Sequence, residues 1–175
     1  MEATMGYTNS EAVYAIARAG GLLQRKGGEN GGMRLNLLAL QVLEYMAHVT
    51  YDWDTEHNRP SAKLVRLHKP CRYYALGWRN MAEGLGMVSL PPDRLIGMGA
   101  EEIAAALNAR NRTACNRISG AWRFLREQGY IKRLNPPTVG HTTGYLLLLG
   151  DRAENAEVER WALKCLALEE EEEGR

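Results

Sequence analysis

Cysteines and long apolar runs are scarce in this chain of 175 residues. Its three cysteines are odd in number and far apart, which argues against a disulfide framework and favours free thiols in a reducing compartment. No stretch approaches the roughly 18 apolar residues of a membrane span, and the N-terminus has no basic region followed by an apolar run. We therefore expect a cytoplasmic protein without a membrane partner.

The motifs of the common catalytic sites are missing as well. The sequence has no glycine-rich phosphate loop followed by Lys and Ser or Thr, no Gly-x-Ser-x-Gly elbow and no His-Glu-x-x-His. His68 and Cys71 have the spacing of half a zinc site but lack a second ligand pair. Residues 52–57 hold three acids and one histidine, which suit a solvated turn better than a metal-dependent nuclease. We expect no enzyme activity, metal, cofactor or small-molecule substrate.

Charge is unevenly distributed, although the net charge of the chain is only +1. Residues 57–82 contain six Lys or Arg and no acid, and residues 110–150 contain seven and one. Residues 83–109 between them are acidic, and residues 151–175 carry nine acids against four bases. Each basic block alone is explained by a charged, solvated face. Two such blocks together favour a polyanionic partner.

Apolar spacing predicts a mostly α fold with a small β-hairpin. Apolar side chains that recur every three or four residues indicate helices, and glycines mark where two of them stop. A Pro-Pro pair and a glycine place a polar turn between the last two strands. The predicted elements of the central region are a helix at 34–50, a strand within 71–75, helices at 77–85 and 100–128, and strands at 131–134 and 144–150.

The start of the long basic helix is open to two interpretations. We prefer a helix that runs unbroken from Ala100. The alternative has a separate helix over Glu102–Asn108, a turn at 109–112 and a second helix over Thr113–Gln128. Both place residues 112–126 on one helix.

The segments around this region divide the chain into four parts. Residues 1–32 are expected to form a helix capped by Ser10 and a glycine-rich linker, as an appendage to the main core. Residues 33–150 form the main domain, and residues 151–168 form a C-terminal helix. Residues 169–175 contain five consecutive glutamates and are expected to be disordered.

The C-terminal helix has one apolar stripe. Val158, Trp161, Cys165 and Leu168 share a face of that helix. This face would suit a homodimer on a palindromic site, or it would cover the first helix of its own chain.

The order of helix, strand, helix, loop, long basic helix and hairpin resembles the winged helix-turn-helix family. Two segments carry the resemblance: Trp78–Gly86, and Arg112–Leu134, in which a basic helix stops at a glycine and enters a strand. The chain is similar in particular to winged-helix proteins of actinobacterial phages and mobile elements. The resemblance covers residues 34–150, with an unusually long gap before Ala100. It implies a recognition helix in the major groove of double-stranded DNA and a hairpin that serves as the wing.

Candidate DNA contacts follow from side-chain chemistry. Arg forms paired hydrogen bonds with guanine and Asn with adenine, so polar residues near the presumed groove end of the helix are base-contact candidates. The base-contact candidates are Arg110, Arg112, Asn116 and Arg117. The phosphate-contact candidates are Arg123, Arg126, Lys132, Arg133, Arg79, Arg72 and Lys69. The wing-tip candidates are His141, Thr142 and Thr143.

These features together predict sequence-specific binding of double-stranded DNA, in a transcriptional regulator of a phage or mobile element. A replication initiator that binds origin repeats is the nearest alternative, because it would use the same contacts. A protein–protein interaction module with an acidic tail as its active surface is a different class. The glutamate run could also fold over the basic helix and compete with DNA.

Overall fold

A computed structural model describes residues 5–25, 31–134 and 143–173 of the chain, with side chains up to Glu171 in the last segment. The described chain is mostly helical with a small antiparallel hairpin, as the sequence predicts. Its elements in order are α1 (Tyr7–Arg18), β1 (Leu23–Arg25), β2 (Met33–Leu35), α2 (Leu37–His48), α3 (Ala62–Leu67), β3 (Tyr73–Tyr74), α4 (Gly77–Gly84), α5 (Ala100–Glu127), β4 (Ile131–Arg133), β5 (Tyr145–Leu147) and α6 (Arg152–Glu173).

The long basic helix is continuous. α5 runs from Ala100 to Glu127 without a break, so the alternative with a turn at 109–112 is wrong. It stops where the sequence predicts, because Gly129 adopts a left-handed backbone with φ of 78°. The Tyr130 N–H then donates to the Leu125 carbonyl at 2.9 Å and satisfies one of the last open carbonyls of the helix.

Strand β5 forms the centre of the fold. It pairs antiparallel with β3 on one side and with β4 on the other. Tyr145 and Leu147 face the main core, whereas Leu146 faces a second apolar cluster under α6. Alternate residues of a strand point to opposite faces, and both faces of this one are covered. This explains why β5 is apolar throughout.

The N-terminal segment belongs to the main core, which corrects the expectation of an appendage. Val13 of α1 and Leu22 before β1 are both fully buried in that core. β1 pairs with β2 on either side of the glycine-rich residues, of which 26–30 lie outside the described residues. Ser10 does not cap the helix; instead the Asp52 carboxylate accepts the first backbone N–H groups of α1.

Helix α6 covers the second cluster with its apolar stripe. Val158 and Cys165 are fully buried, and Val158 packs in a group with Leu64 and Leu146. The stripe therefore covers α3 and the sheet, and much of the face expected to form a homodimer is used within the chain. The helix continues to Glu173, which corrects the expected disorder of the glutamate run up to that residue. None of the described helices is long and apolar enough to cross a bilayer.

A buried arginine joins distant parts of the chain. The Arg72 side chain is 1% exposed. Its Nε donates to Asn9 Oδ1 of α1 at 2.9 Å, and its Nη1 donates to Glu154 Oε1 of α6 at 2.5 Å. Asn9 also donates to the Tyr51 carbonyl at 3.1 Å. One guanidinium thus fixes both terminal helices to the strand region that precedes α4.

Loss of the Arg72 partner should destabilise the protein strongly. Glu154→Ala leaves a buried, unpaired guanidinium, and we expect the free energy of unfolding to fall by about 3 kcal/mol. Glu157→Ala on the same helix is the matched control, because its pair with Arg160 is exposed and contributes roughly 0–1 kcal/mol. Urea unfolding of both variants measures the difference. Equal losses would contradict a central role for Arg72.

Candidate nucleic-acid interface

One side of α5 packs in the core, and the other is exposed to solvent. The buried residues of this helix are Ala114, Ile118, Ala121 and Leu125, which recur every three or four residues and so share one face. Opposite them is a broad surface that we call the outer face of α5. Its members are Ala109, Arg112, Thr113, Asn116, Ser119, Gly120, Arg123, Arg126 and Glu127, with the half-buried Arg110 and the exposed Arg117 where it borders the buried stripe.

The outer face has two cationic edges and a centre of smaller side chains. Each residue advances about 100° around the helix axis. Arg110 and Arg117 therefore form one edge, and Arg112, Arg123 and Arg126 lie towards the other, with Ser119 among them. The centre line consists of Ala109, Thr113, Asn116 and Gly120, and it ends at an acid, Glu127. The four base-contact candidates consequently do not form one row: Asn116 is central, and the arginines lie on both sides of it.

The edge with Arg110 and Arg117 borders an open cleft. This cleft has a volume of about 400 Å³ and is also lined by Met87, from the loop after α4, and by Thr113. The Thr113 hydroxyl donates to the Ala109 carbonyl of its own helix at 3.0 Å. Its hydrogen is thus directed to the backbone, and the cleft presents two guanidinium groups beside small and apolar side chains.

The arginines of the outer face form no ion pair within the described part of the chain, although Glu127 lies on the same helix, four residues after Arg123. None of the five lies within 4.0 Å of an acidic group there. Two other candidates differ: Lys69 pairs with Glu169 at 3.1 Å, and Lys132 pairs with Glu159 at 2.5 Å. Both acids belong to α6, so this helix offsets basic residues outside α5 and leaves those of α5 open.

The remaining candidates have different environments. Arg72 is buried in its ion pair, so the prediction that it contacts phosphate is wrong. Arg79 is exposed, with its guanidinium carbon 5.6 Å from the centre of the Trp78 ring. Arg133 donates to Thr143 Oγ1 at 3.3 Å across the hairpin. The two other wing-tip candidates, His141 and Thr142, lie outside the described residues.

The acidic residues after α2 have structural partners. Asp52 accepts the N–H groups of Tyr7 and Asn9 at 3.1 and 2.9 Å. Asp54 pairs with His57 Nδ1 at 2.9 Å. Over residues 5–25, 31–134 and 143–173, no group of three or more His, Cys, Asp or Glu side chains could hold a metal ion.

The sequence interpretation found only Asn116 on the centre line of the outer face. It selected residues for charge and amide chemistry, and so passed over Ala109, Thr113 and Gly120. Projecting residues 109–126 on a helical wheel would have found these residues, because the buried stripe fixes which side faces outward. No pattern in the sequence indicated Met87, which lines the cleft from the loop after α4.

Comparison with known proteins identifies no relative: the chain matches no family model, and no curated protein or solved structure is significantly similar to it.

Thiol reactivity should report on the packing beside this interface. Burial raises the pKa of Cys71 to about 12 and that of Cys165 to about 11, so both stay protonated near neutral pH. Cys115 of α5 is partly exposed. Because the thiolate is the reactive form, we expect one thiol per native chain to react with Ellman's reagent and three after unfolding. Cys115→Ser should abolish the native reaction. Rapid reaction of two or three native thiols would contradict the burial of α6.

Proposed function

We propose that the protein binds double-stranded DNA through the outer face of α5, as a sequence-specific transcriptional regulator of a phage or mobile element with a winged helix-turn-helix fold. One observation carries this proposal. Arg112, Arg117, Arg123 and Arg126 are exposed on a single helix, Arg110 is half-buried beside them, and none of the five forms an ion pair with a described acid. Apart from α3, which the resemblance does not include, the order of α2, β3, α4, α5 and the β4–β5 hairpin is the order that the resemblance implies, and it supports the same conclusion.

The dimensions of the outer face suit a duplex. Arg110 and Arg126 are separated by roughly 24 Å along the helix axis, at 1.5 Å per residue. A B-DNA duplex carries about one phosphate charge per 1.7 Å of its axis, so a cationic rod of this length meets several phosphates. The major groove is about 12 Å wide and admits one helix with its side chains. Arginines on both edges can then reach the groove walls, while Asn116 faces the base edges.

Helix α6 supports a restricted interface. Its acids pair with Lys69 and Lys132, so these two candidates attract phosphate less than their charge suggests. Both pairs are exposed, and such pairs are weak enough for DNA to displace. α5 therefore supplies the main contact, and the residues near α6 supply an adjustable one.

A salt series tests DNA binding directly. With random-sequence duplex, we expect the logarithm of the association constant to fall with the logarithm of salt concentration, with a slope of about −4 to −5 for five arginine contacts. Arg123→Ala should reduce the steepness by about one. Arg160→Ala is the matched control, because that arginine is exposed on α6 and pairs with Glu157. A flat salt response, or no binding, would favour a protein–protein interaction module instead.

Neutralising the end of α6 should strengthen binding. Glu169→Gln removes the partner of Lys69 while keeping the size of the side chain. A surface pair is worth roughly 0.2–1 kcal/mol, so we expect affinity for random duplex at low salt to rise by up to about fivefold. Glu11→Gln, on the exposed side of α1, is the control and should have no effect. An unchanged affinity of the Glu169→Gln variant would show that Lys69 does not contact DNA.

A further inference from the structure

Gly120 lies in the interior of α5, on the centre line of the outer face. The fold of the protein gives no reason for a glycine at this position. A Cβ atom at this position would meet no heavy atom within 4 Å. Its backbone is helical, so no left-handed conformation requires glycine. Glycine is among the least favourable residues in a helix interior. Glycine weakens the helix here, and a larger side chain would meet nothing within the protein. The missing side chain therefore indicates that a partner molecule comes close at this position.

The surroundings of Gly120 are those of a closely approached surface. Ser119, the preceding residue, is also small and exposed. Asn116 and Arg123 are one turn away on the same face, and Arg117 lies towards the opposite edge. Long cationic side chains thus flank a short gap in which the helix backbone is uncovered. A polyanion held by both edges would be nearest to the protein at this gap.

We propose that α5 lies lengthwise in the major groove of DNA, with Gly120 as the point where its backbone comes closest to the base edges. This inference rests on the proposed function. It assigns sequence reading to the middle of the helix and makes Ser119 and Gly120 contact positions beside Asn116. A helix with its side chains is about 10–12 Å across, close to the width of the groove, so depth of insertion is set by side-chain size on the centre line.

The first half of α5 disfavours the alternative in which the helix enters the groove by its N-terminus. Residues 100–109 extend roughly 15 Å beyond Arg110, at 1.5 Å per residue. They include Glu101 and Glu102, both exposed, and no residue of this stretch is buried. End-on insertion would place two carboxylates among the phosphates. Lengthwise insertion leaves them outside the duplex and brings one acid, Glu127, to the end of the contacted stretch.

Substitution of Gly120 separates this role from a role in folding, because the two predict opposite changes. The probe is a duplex recovered by selection from random sequence with the full-length protein. Gly120→Ala and Gly120→Gln should both raise Tm, by about 2–4 °C, because each residue favours helix more than glycine does. Gly120→Gln should weaken binding to the probe by roughly tenfold or more, the effect of one lost base contact, and Gly120→Ala by less. Ala104→Gln is the control: it places the same side chain at an exposed position of α5 away from the outer face, and it should not alter affinity.

Each other outcome contradicts a stated part of the proposal. A Gly120→Gln protein with a higher Tm and unchanged affinity would overturn the close approach while leaving DNA binding intact. A lower Tm would show that the fold itself needs the glycine, which removes the reason for the inference. Failure of the unsubstituted protein to bind or select any duplex would overturn the proposed function.

Discussion

The buried guanidinium of Arg72 is the constraint on which the arrangement of this protein depends. A charge that is almost completely removed from water must be matched by partners, and the chain supplies them from both of its ends: Asn9 in α1 and Glu154 in α6. The terminal helices are therefore fixed against the strand region by one side chain. Helix α6 covers the second cluster, whereas α5 packs on α2 and α4 and keeps its outer face uncovered.

The two basic blocks of the sequence have different roles because of this arrangement. The first block contains Arg72, which is internal, and Lys69, which is opposed by Glu169. The second block places five arginines on one helix, four of them exposed, and none of them pairs with an acid of α6. The two blocks have the same net charge, so net charge alone does not distinguish them. Burial removes Arg72 from the first block and an exposed pair engages Lys69, whereas Arg59, Lys63, Arg66 and Arg79 remain exposed.

The parts of the fold that depend on neighbouring residues could be predicted from the sequence. The period of apolar residues identified α2, α4 and α5, and Gly129 marked the end of α5 because a left-handed stop is a local property. The partners of Arg72 lie 63 and 82 residues away, and no local pattern signals such a pair. For the same reason, the packing of α1 on the core could not be predicted from the sequence. The candidate site was found by charge, but its centre line depends on which side of α5 is buried.

The continuity of α5 also gives the molecule a mechanical property. Its buried residues lie between Ala114 and Leu125, whereas the preceding stretch from Ala100 projects about 20 Å with no buried residue. An unbroken helix is stiff over such a length and bends only gently. The packing of the second half of α5 in the core therefore sets the direction of the first half. A molecule bound near Ala100 would be held in a fixed direction relative to Asn116 and Gly120.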